Sequence, residues 1–231
     1  IAKPLKTYLY DHRLRVLIDT RGKRAVRTRY QENPKYLNVG GGAFVRENWR
    51  VLDYLAPQWY ENYRPVFIDY NMNLESEKSW PIESDSYGLV YISHTLEHLS
   101  DAAALHSLQE SHRILKKGGG IRIVGPDSAL FLHHYKRGHR EWFEMHYPAL
   151  RGEKLEMFLL KIFATHYMDT ANAEELGRDL ASLPEADALN KYSRKVRNEQ
   201  QRENLGFHRN WFNHEKMEEF LKEAGFTKII K

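Results

Sequence analysis

Three consecutive glycines, Gly40-Gly41-Gly42, follow directly on the aliphatic run Tyr36-Leu37-Asn38-Val39. A buried strand that stops this way lets its next backbone atoms lie flat against a ligand, because no side chain intervenes. Carboxylates close two further apolar runs, Asp53 after Val51-Leu52 and Asp69 after Val66-Phe67-Ile68. An ionised carboxylate only accepts hydrogen bonds, so either one suits the paired hydroxyls of a ribose. Ser93 and His94 end the run Leu89-Val90-Tyr91-Ile92, and His98 and Asp127 fall near the ends of the same elements. An imidazole there could take a proton at neutral pH. In order, the series reads as a nucleotide-type cofactor site on the carboxyl edge of a parallel sheet.

Elements must hold these residues in place, and the patterning supplies them. The short apolar runs up to Ile121-Arg122-Ile123-Val124 read as strands separated by turns and polar residues. Ser100 or Asp101 caps a helix to about Lys116, with Leu96, Leu99, Ala103, Leu108 and Leu115 as its inner face. Gly118-Gly119-Gly120 is expected to terminate that helix. Residues 5–32 read as a basic helix carrying Arg13, Arg15, Arg21, Lys23, Arg24, Arg27 and Arg29, broken by Asn33-Pro34. A solvated helix face accounts for that charge more simply than an anionic partner. From Ser128 to about Arg209, helical segments rich in aromatics and histidines are expected at 128–137, 140–146, 153–164, 172–182 and 185–204. Asn213 then caps a helix with Met217, Phe220 and Leu221 inward; Gly225 ends it, and Phe226–Ile230 begins another strand.

The expected class is α/β: a Rossmann-like sheet flanked by helices, with an inserted helical cap before the last helix. The divisions are a basic N-terminal helical segment (1–35), a cofactor-binding core (36–127), a helical cap or substrate insertion (128–209), and a C-terminal helix and strand completing the core (210–231).

Composition narrows the chemistry. The chain has 231 residues and no cysteine, so disulfides, thiolate metal sites and a cysteine nucleophile are excluded. Its net charge of +4 is too mild to imply nucleic acid by itself. No apolar run approaches the roughly 20 residues needed to cross a bilayer. The start at Ile1, with Lys3 and Lys6 and no apolar segment after them, carries no secretory pattern and suggests a trimmed or excised start. A cytoplasmic location is expected; nothing in the sequence speaks to oligomeric state.

Several stretches together resemble the class I S-adenosylmethionine-dependent methyltransferases, and more narrowly a bacterial-type branch associated with surface-polysaccharide biosynthesis. They are Leu37–Gly42, Trp49–Asp53, Trp80–Tyr87 and Val90-Tyr91-Ile92-Ser93-His94-Thr95-Leu96-Glu97-His98-Leu99, completed by Leu115–Gly119, Gly125-Pro126-Asp127 and the Leu221–Phe226 helix end. The resemblance covers about 36–127 and 207–230 and leaves the cap aside.

This resemblance implies S-adenosylmethionine as cofactor, leaving as S-adenosylhomocysteine, and O-methylation of a sugar or glycan hydroxyl. It implies that Gly40, Gly41 and Gly42 approach the methionine part of the cofactor. Asn38, where the family has an acid, would hydrogen-bond its amino group without adding charge; Phe44 replaces a further glycine. Asp53 is favoured over Asp69 for the ribose because Trp49–Asp53 matches the branch, while Asp69 could equally be a turn or cap residue. Asn73 and Leu74 would sit beside the adenine, and Ser93 and His94 at the reaction centre. His94, Asp127 and His98 are the candidates for a catalytic base.

In the cap, His133, His134, Tyr135, His208, Arg209 and Trp211 are candidates for substrate contact, with Trp142 a further ring for stacking. None of the cap histidines shows dense metal-ligand spacing with carboxylates, so no metal is expected. Acceptance by a small metabolite or lipid, or a non-catalytic domain of a glycan-assembly protein, remain the alternatives. A nucleic-acid acceptor is disfavoured: no Asn/Asp-Pro-Pro-Tyr/Phe motif follows the fourth strand.

Overall fold

The computed structural model describes residues 34–42, 44, 46–54 and 68–231, together with the backbone of three strands nearer the start. The chain divides into two compact units, one of residues 1–73, 79–93 and 113–123, the other of 74–78, 94–112 and 124–231.

The first unit opens with β1 (Tyr8–Asp11), β2 (Leu14–Ile18) and β3 (Ala25–Arg29), an antiparallel sheet in the order β1-β2-β3. This corrects the helix expected over 5–32. Val16, Ile18, Val26 and Thr28 are β-branched, which favours pleated backbone. β1 and β2 pair antiparallel, with Asp11 opposite Leu14. A run of basic residues fits a strand as well as a helix, so charge misled where branching should have decided. The basic side chains of this segment lie outside the described residues, as do Val66 and Phe67.

The same unit holds a second sheet of five strands in the order β6-β5-β4-β7-β8: β4 (Tyr36–Val39), β5 (Trp49–Asp53), β6 (Tyr70–Asn71), β7 (Tyr87–Ser93) and β8 (Leu115–Val124). Pairings β4–β5, β4–β7 and β5–β6 are parallel. The amide of Ser86 reaches Ile114 at one end of the β7–β8 pair and that of His94 reaches Val124 at the other, so this pair also runs in one sense. Numbered within the sheet, the order is 3-2-1-4-5, the doubly wound arrangement. Leu37, Asn38 and Val39 are all buried, which is what a central parallel strand covered on both faces requires.

Asp69 directly precedes β6, and most of the apolar run before it lies outside the described residues. One expectation changes here. The Gly118–Gly120 triplet lies inside β8, because the helix before it already stops at Ile114. A methyl on Gly119 would stand 3.1 Å from the Gly88 carbonyl oxygen and 2.9 Å from that of Lys116. Close approach of neighbouring backbones, not helix termination, is what needs glycine there.

The second unit is helical. Its helices are α1 (Asp101–Ile114, beginning here), α2 (Ser128–Lys136), α3 (Arg140–His146), α4 (Leu155–Phe163), α5 (Thr170–Ser182), α6 (Glu185–Ser193), α7 (Asn198–Glu203) and α8 (His214–Glu223). Ser100 caps α1, its hydroxyl accepting from Ala103 N–H at 3.3 Å. Asn213 caps α8 by accepting from Lys216 N–H at 2.8 Å. Residues 226–230 form no strand, in contrast to the expectation. The core gathers Phe131, Leu132, Phe143, Phe158, Leu159, Ile162 and Phe163 from α2, α3 and α4. No helix among the described residues is long and apolar enough to cross a membrane.

Phe158 is fully buried, with its ring 5.3 Å from that of Phe143. Phe158→Ala should lower stability by about 3–5 kcal/mol in urea unfolding followed by circular dichroism. A loss below about 1 kcal/mol would show that the helices close over the gap.

Candidate active site

The strand order reverses between β4 and β7, and ligands of open α/β sheets bind outside the carboxyl ends at such a point. The register pairs Val39 with Ile92, so Gly40 and Ser93 are the next residues on neighbouring strands.

Gly40 and Gly42 adopt φ of 68° and 54°, the left-handed region that favours glycine. Gly42 N–H donates to Asp53 Oδ2 at 2.7 Å and Tyr54 N–H donates to Oδ1 at 2.7 Å. Asp53 therefore holds the glycine loop against the tip of β5. Gly41 is pinned differently: a methyl there would lie 2.9 Å from Asn38 Nδ2 and 3.0 Å from Val51 Cγ1. Asn38 is buried and its amide packs beneath the loop. Around Gly42 no described atom lies within 4 Å of where a Cβ would project. The open backbone edge at Gly42 is a cradle that fits the extended tail of a nucleoside cofactor.

The two acids diverge. Asp69 is buried; its Oδ2 accepts from Val51 N–H at 2.9 Å and its Oδ1 lies 3.4 Å from Nε of the buried Arg50. It fastens β5 from the side, whereas Asp53 stands at the strand tip. Asn73 and Leu74 follow β6, where the buried Leu74 begins a 3₁₀ turn.

His94 comes directly after Ser93 and has φ of 50°, uncommon for a residue with a Cβ. Its amide donates to Val124 O at 2.9 Å, and its Nδ1 lies 3.1 Å from Glu97 Oε1. The imidazole is 63% exposed while the carboxylate is 4% exposed, so a buried acid braces an open base. Burial pushes the Glu97 carboxyl above the usual carboxylate range, partly offset by a backbone hydrogen bond and by His94.

Glu97 is the residue that sequence reasoning quoted but did not single out. Its signal was the i,i+3 spacing from His94, which a 3₁₀ turn folds onto one side.

His98, a second candidate base, is instead half-buried, and desolvation with the neighbouring His208 pushes it down to about 4. Its Nδ1 lies 3.1 Å from Phe207 O. His208 is lowered by burial too, with its Nδ1 2.8 Å from Ile162 O. The two rings meet edge to face at 4.7 Å. One ligand-capable atom each from Glu97, His98 and His208 lies within 4.8 Å of the other two. Asp127, the third candidate base, caps α2 by accepting from Ala129 N–H at 3.0 Å.

Of the acceptor-contact candidates, Arg209 and Trp211 are buried. Arg209 binds Asn198 Oδ1 at 2.7 Å and Val196 O at 2.5 Å, and Trp211 Nε1 donates to Asn190 Oδ1 at 3.0 Å. Both side chains are bonded within the helical unit. Tyr135 donates to Glu156 at 2.7 Å, which with burial raises its phenol. His133 is exposed, and His134 stacks on Trp142 at 4.0 Å, closing one face of that indole.

Residues 56–123 match the family described as methyltransferase domain. The cofactor this match implies is S-adenosylmethionine. No curated protein sequence matches the chain. Among solved structures, the chain is similar to an S-adenosylmethionine-dependent methyltransferase of Thermotoga maritima described as a possible histamine N-methyltransferase. That similarity is 16% identity and a TM-score of 0.40 over 84% of this chain and 64% of that one. It is also similar to the CurJ carbon methyltransferase, at 13% identity and a TM-score of 0.38 over 86% of this chain. The chain spans 64% and 43% of the lengths of those two proteins.

The half-buried imidazoles of His98 and His208 make stability depend on pH. Their folded pKa values lie below the unfolded value, so the unfolded chain binds more protons and stability falls as pH drops. For His98 the window runs from about 6.5 to about 4. Glu97 acts oppositely, losing stability as pH rises through its raised pKa. In chelator-treated protein, His98→Gln should flatten the acid limb of stability against pH by up to about 1.4 kcal/mol per pH unit. An unchanged limb in urea titrations would show that His98 is not held neutral.

Proposed function

We propose that the chain is an S-adenosylmethionine-dependent methyltransferase that moves a methyl group to a hydroxyl oxygen of a sugar or glycan. The observation that carries this reading is the His94–Glu97 pair. It supplies an open imidazole, braced by a buried carboxylate, on the residue after the β7 tip. A backbone conformation that costs free energy marks a position held for more than packing.

In this reading Gly40, Gly41 and Gly42 offer backbone to the methionine part of the cofactor, and Asp53 accepts from the ribose hydroxyls. Asn73 and Leu74 border the adenine. Bound there, the cofactor supplies an electrophilic methyl on a sulfonium. With Glu97 ionised, His94 carries its proton on Nδ1 and leaves Nε2 as the base. An acceptor hydroxyl would take that methyl group, and its proton would pass to His94 Nε2. Positioning of the acceptor beside the methyl group would supply much of the rate, about 7–11 kcal/mol in favourable cases.

A labelled-methyl assay against nucleotide sugars and glycans tests the reaction. Transfer should occur, and His94→Gln should slow turnover by about 10²–10⁴-fold with product-cofactor affinity retained. Turnover of only a small metabolite or lipid would overturn the sugar acceptor. Cofactor binding without turnover on any acceptor would instead favour a non-catalytic domain of a glycan-assembly protein.

Calorimetry with S-adenosylhomocysteine tests the binding edge. Asp53→Ala should weaken affinity, while Asp69→Ala should chiefly cost stability, about 3–5 kcal/mol for breaking a buried ion pair. The reverse order would assign the ribose to the wrong acid.

A further inference from the structure

We propose that Glu97, His98 and His208 form a binding site for a divalent transition-metal ion of the zinc class. The trio joins the 3₁₀ turn Leu96–His98 to the segment that returns ahead of Trp211. Sequence spacing hid it, because His208 lies far along the chain from its two partners.

Backbone carbonyls fix the tautomers. Nδ1 of His98 faces Phe207 O at 3.1 Å and Nδ1 of His208 faces Ile162 O at 2.8 Å. A carbonyl only accepts, so both Nδ1 atoms carry the proton and both Nε2 atoms keep a lone pair. Donation of the second ring nitrogen to a carbonyl is the support that orients metal-binding imidazoles. Glu97 is oriented in turn by His94 Nδ1 at 3.1 Å through Oε1.

Distance and donor type select the ion. Ligands held about 2.0–2.2 Å from one ion sit roughly 3–3.5 Å apart. The trio, within 4.8 Å of one another, needs to close by no more than about 1.5 Å, a side-chain rotation. Two imidazoles and one carboxylate suit zinc-class ions, whereas magnesium and calcium take oxygen donors. Three protein ligands leave a fourth position for water or an oxygen ligand. Lys161, whose charge acts on both imidazoles, opposes a cation, and the carboxylate of Glu97 offsets it.

The site does not rest on the acceptor or the reaction proposed above, since binding is read directly. Full-length protein stripped with EDTA is titrated with zinc chloride by calorimetry and with cobalt chloride by visible absorption. One ion should bind, with the ligand-field bands of a low-coordinate cobalt site. Glu97→Gln and His208→Ala should each weaken binding by more than about 100-fold, beyond the 10–100-fold typical of losing a ligand's supporting bond. The exposed pair His134 and His139, with Nδ1 atoms 3.0 Å apart, is the rival for adventitious zinc. The double variant His134→Ala/His139→Ala should leave the affinity unchanged. Glu97→Gln, isosteric with the native side chain, carries the test if His208→Ala fails to fold by circular dichroism. No binding by the native chain, binding indifferent to Glu97→Gln, or binding lost only in the surface double variant would each overturn the site.

Discussion

A buried carboxylate at Glu97 is the constraint on which the helical unit's functional end depends. Taking such a charge out of water costs several kcal/mol unless polar partners surround it. Here the residue engages on two sides. Its carboxylate meets His94, and its backbone carbonyl accepts the amides of Arg209 and Asn210 at 2.9 and 3.1 Å. Neighbouring bonds close the seam: His98 to Phe207 O at 3.1 Å and Asn210 Nδ2 to Leu99 O at 3.0 Å. Lys216 adds an ion pair to Asp101 at 2.8 Å. The open face of His94 follows from this seam, since an imidazole tied at Nδ1 presents its other nitrogen outward.

The sheet unit shows how environment separates two chemically identical groups. Asp53 and Asp69 both neighbour β5, yet one holds the glycine loop through its amides and the other is sealed against Arg50. The buried ion pair resists opening, because removing either partner leaves the other charge desolvated. The histidines divide on the same ground: His94 is open, while desolvation lowers the pKa of the half-buried His98 and His208.

Much of this was legible in the residue pattern. Short, mainly apolar runs ended by turn or polar residues made β4, β5 and β7 visible at Tyr36, Trp49 and Leu89. The helices from Ser128 to Ser182 and the caps at Ser100 and Asn213 followed from periodicity and cap chemistry, whereas the single helix expected over 185–204 breaks into α6 and α7. The antiparallel strands before Asn33 did not, because charge was weighed above β-branching. The glycines of β8 were misplaced because a close backbone approach and a helix end use the same residue.

By itself, the sequence determined the local elements, the glycine turn after β4 and the types of ionisable groups available. Those depend on near neighbours: backbone freedom, side-chain branching and periodicity. Tertiary structure alone decided which acid is sealed and which histidines are desolvated. It also decided that Glu97, His98 and His208 converge. Burial and pKa are set by atoms brought from distant parts of the chain, and no local spacing encodes them.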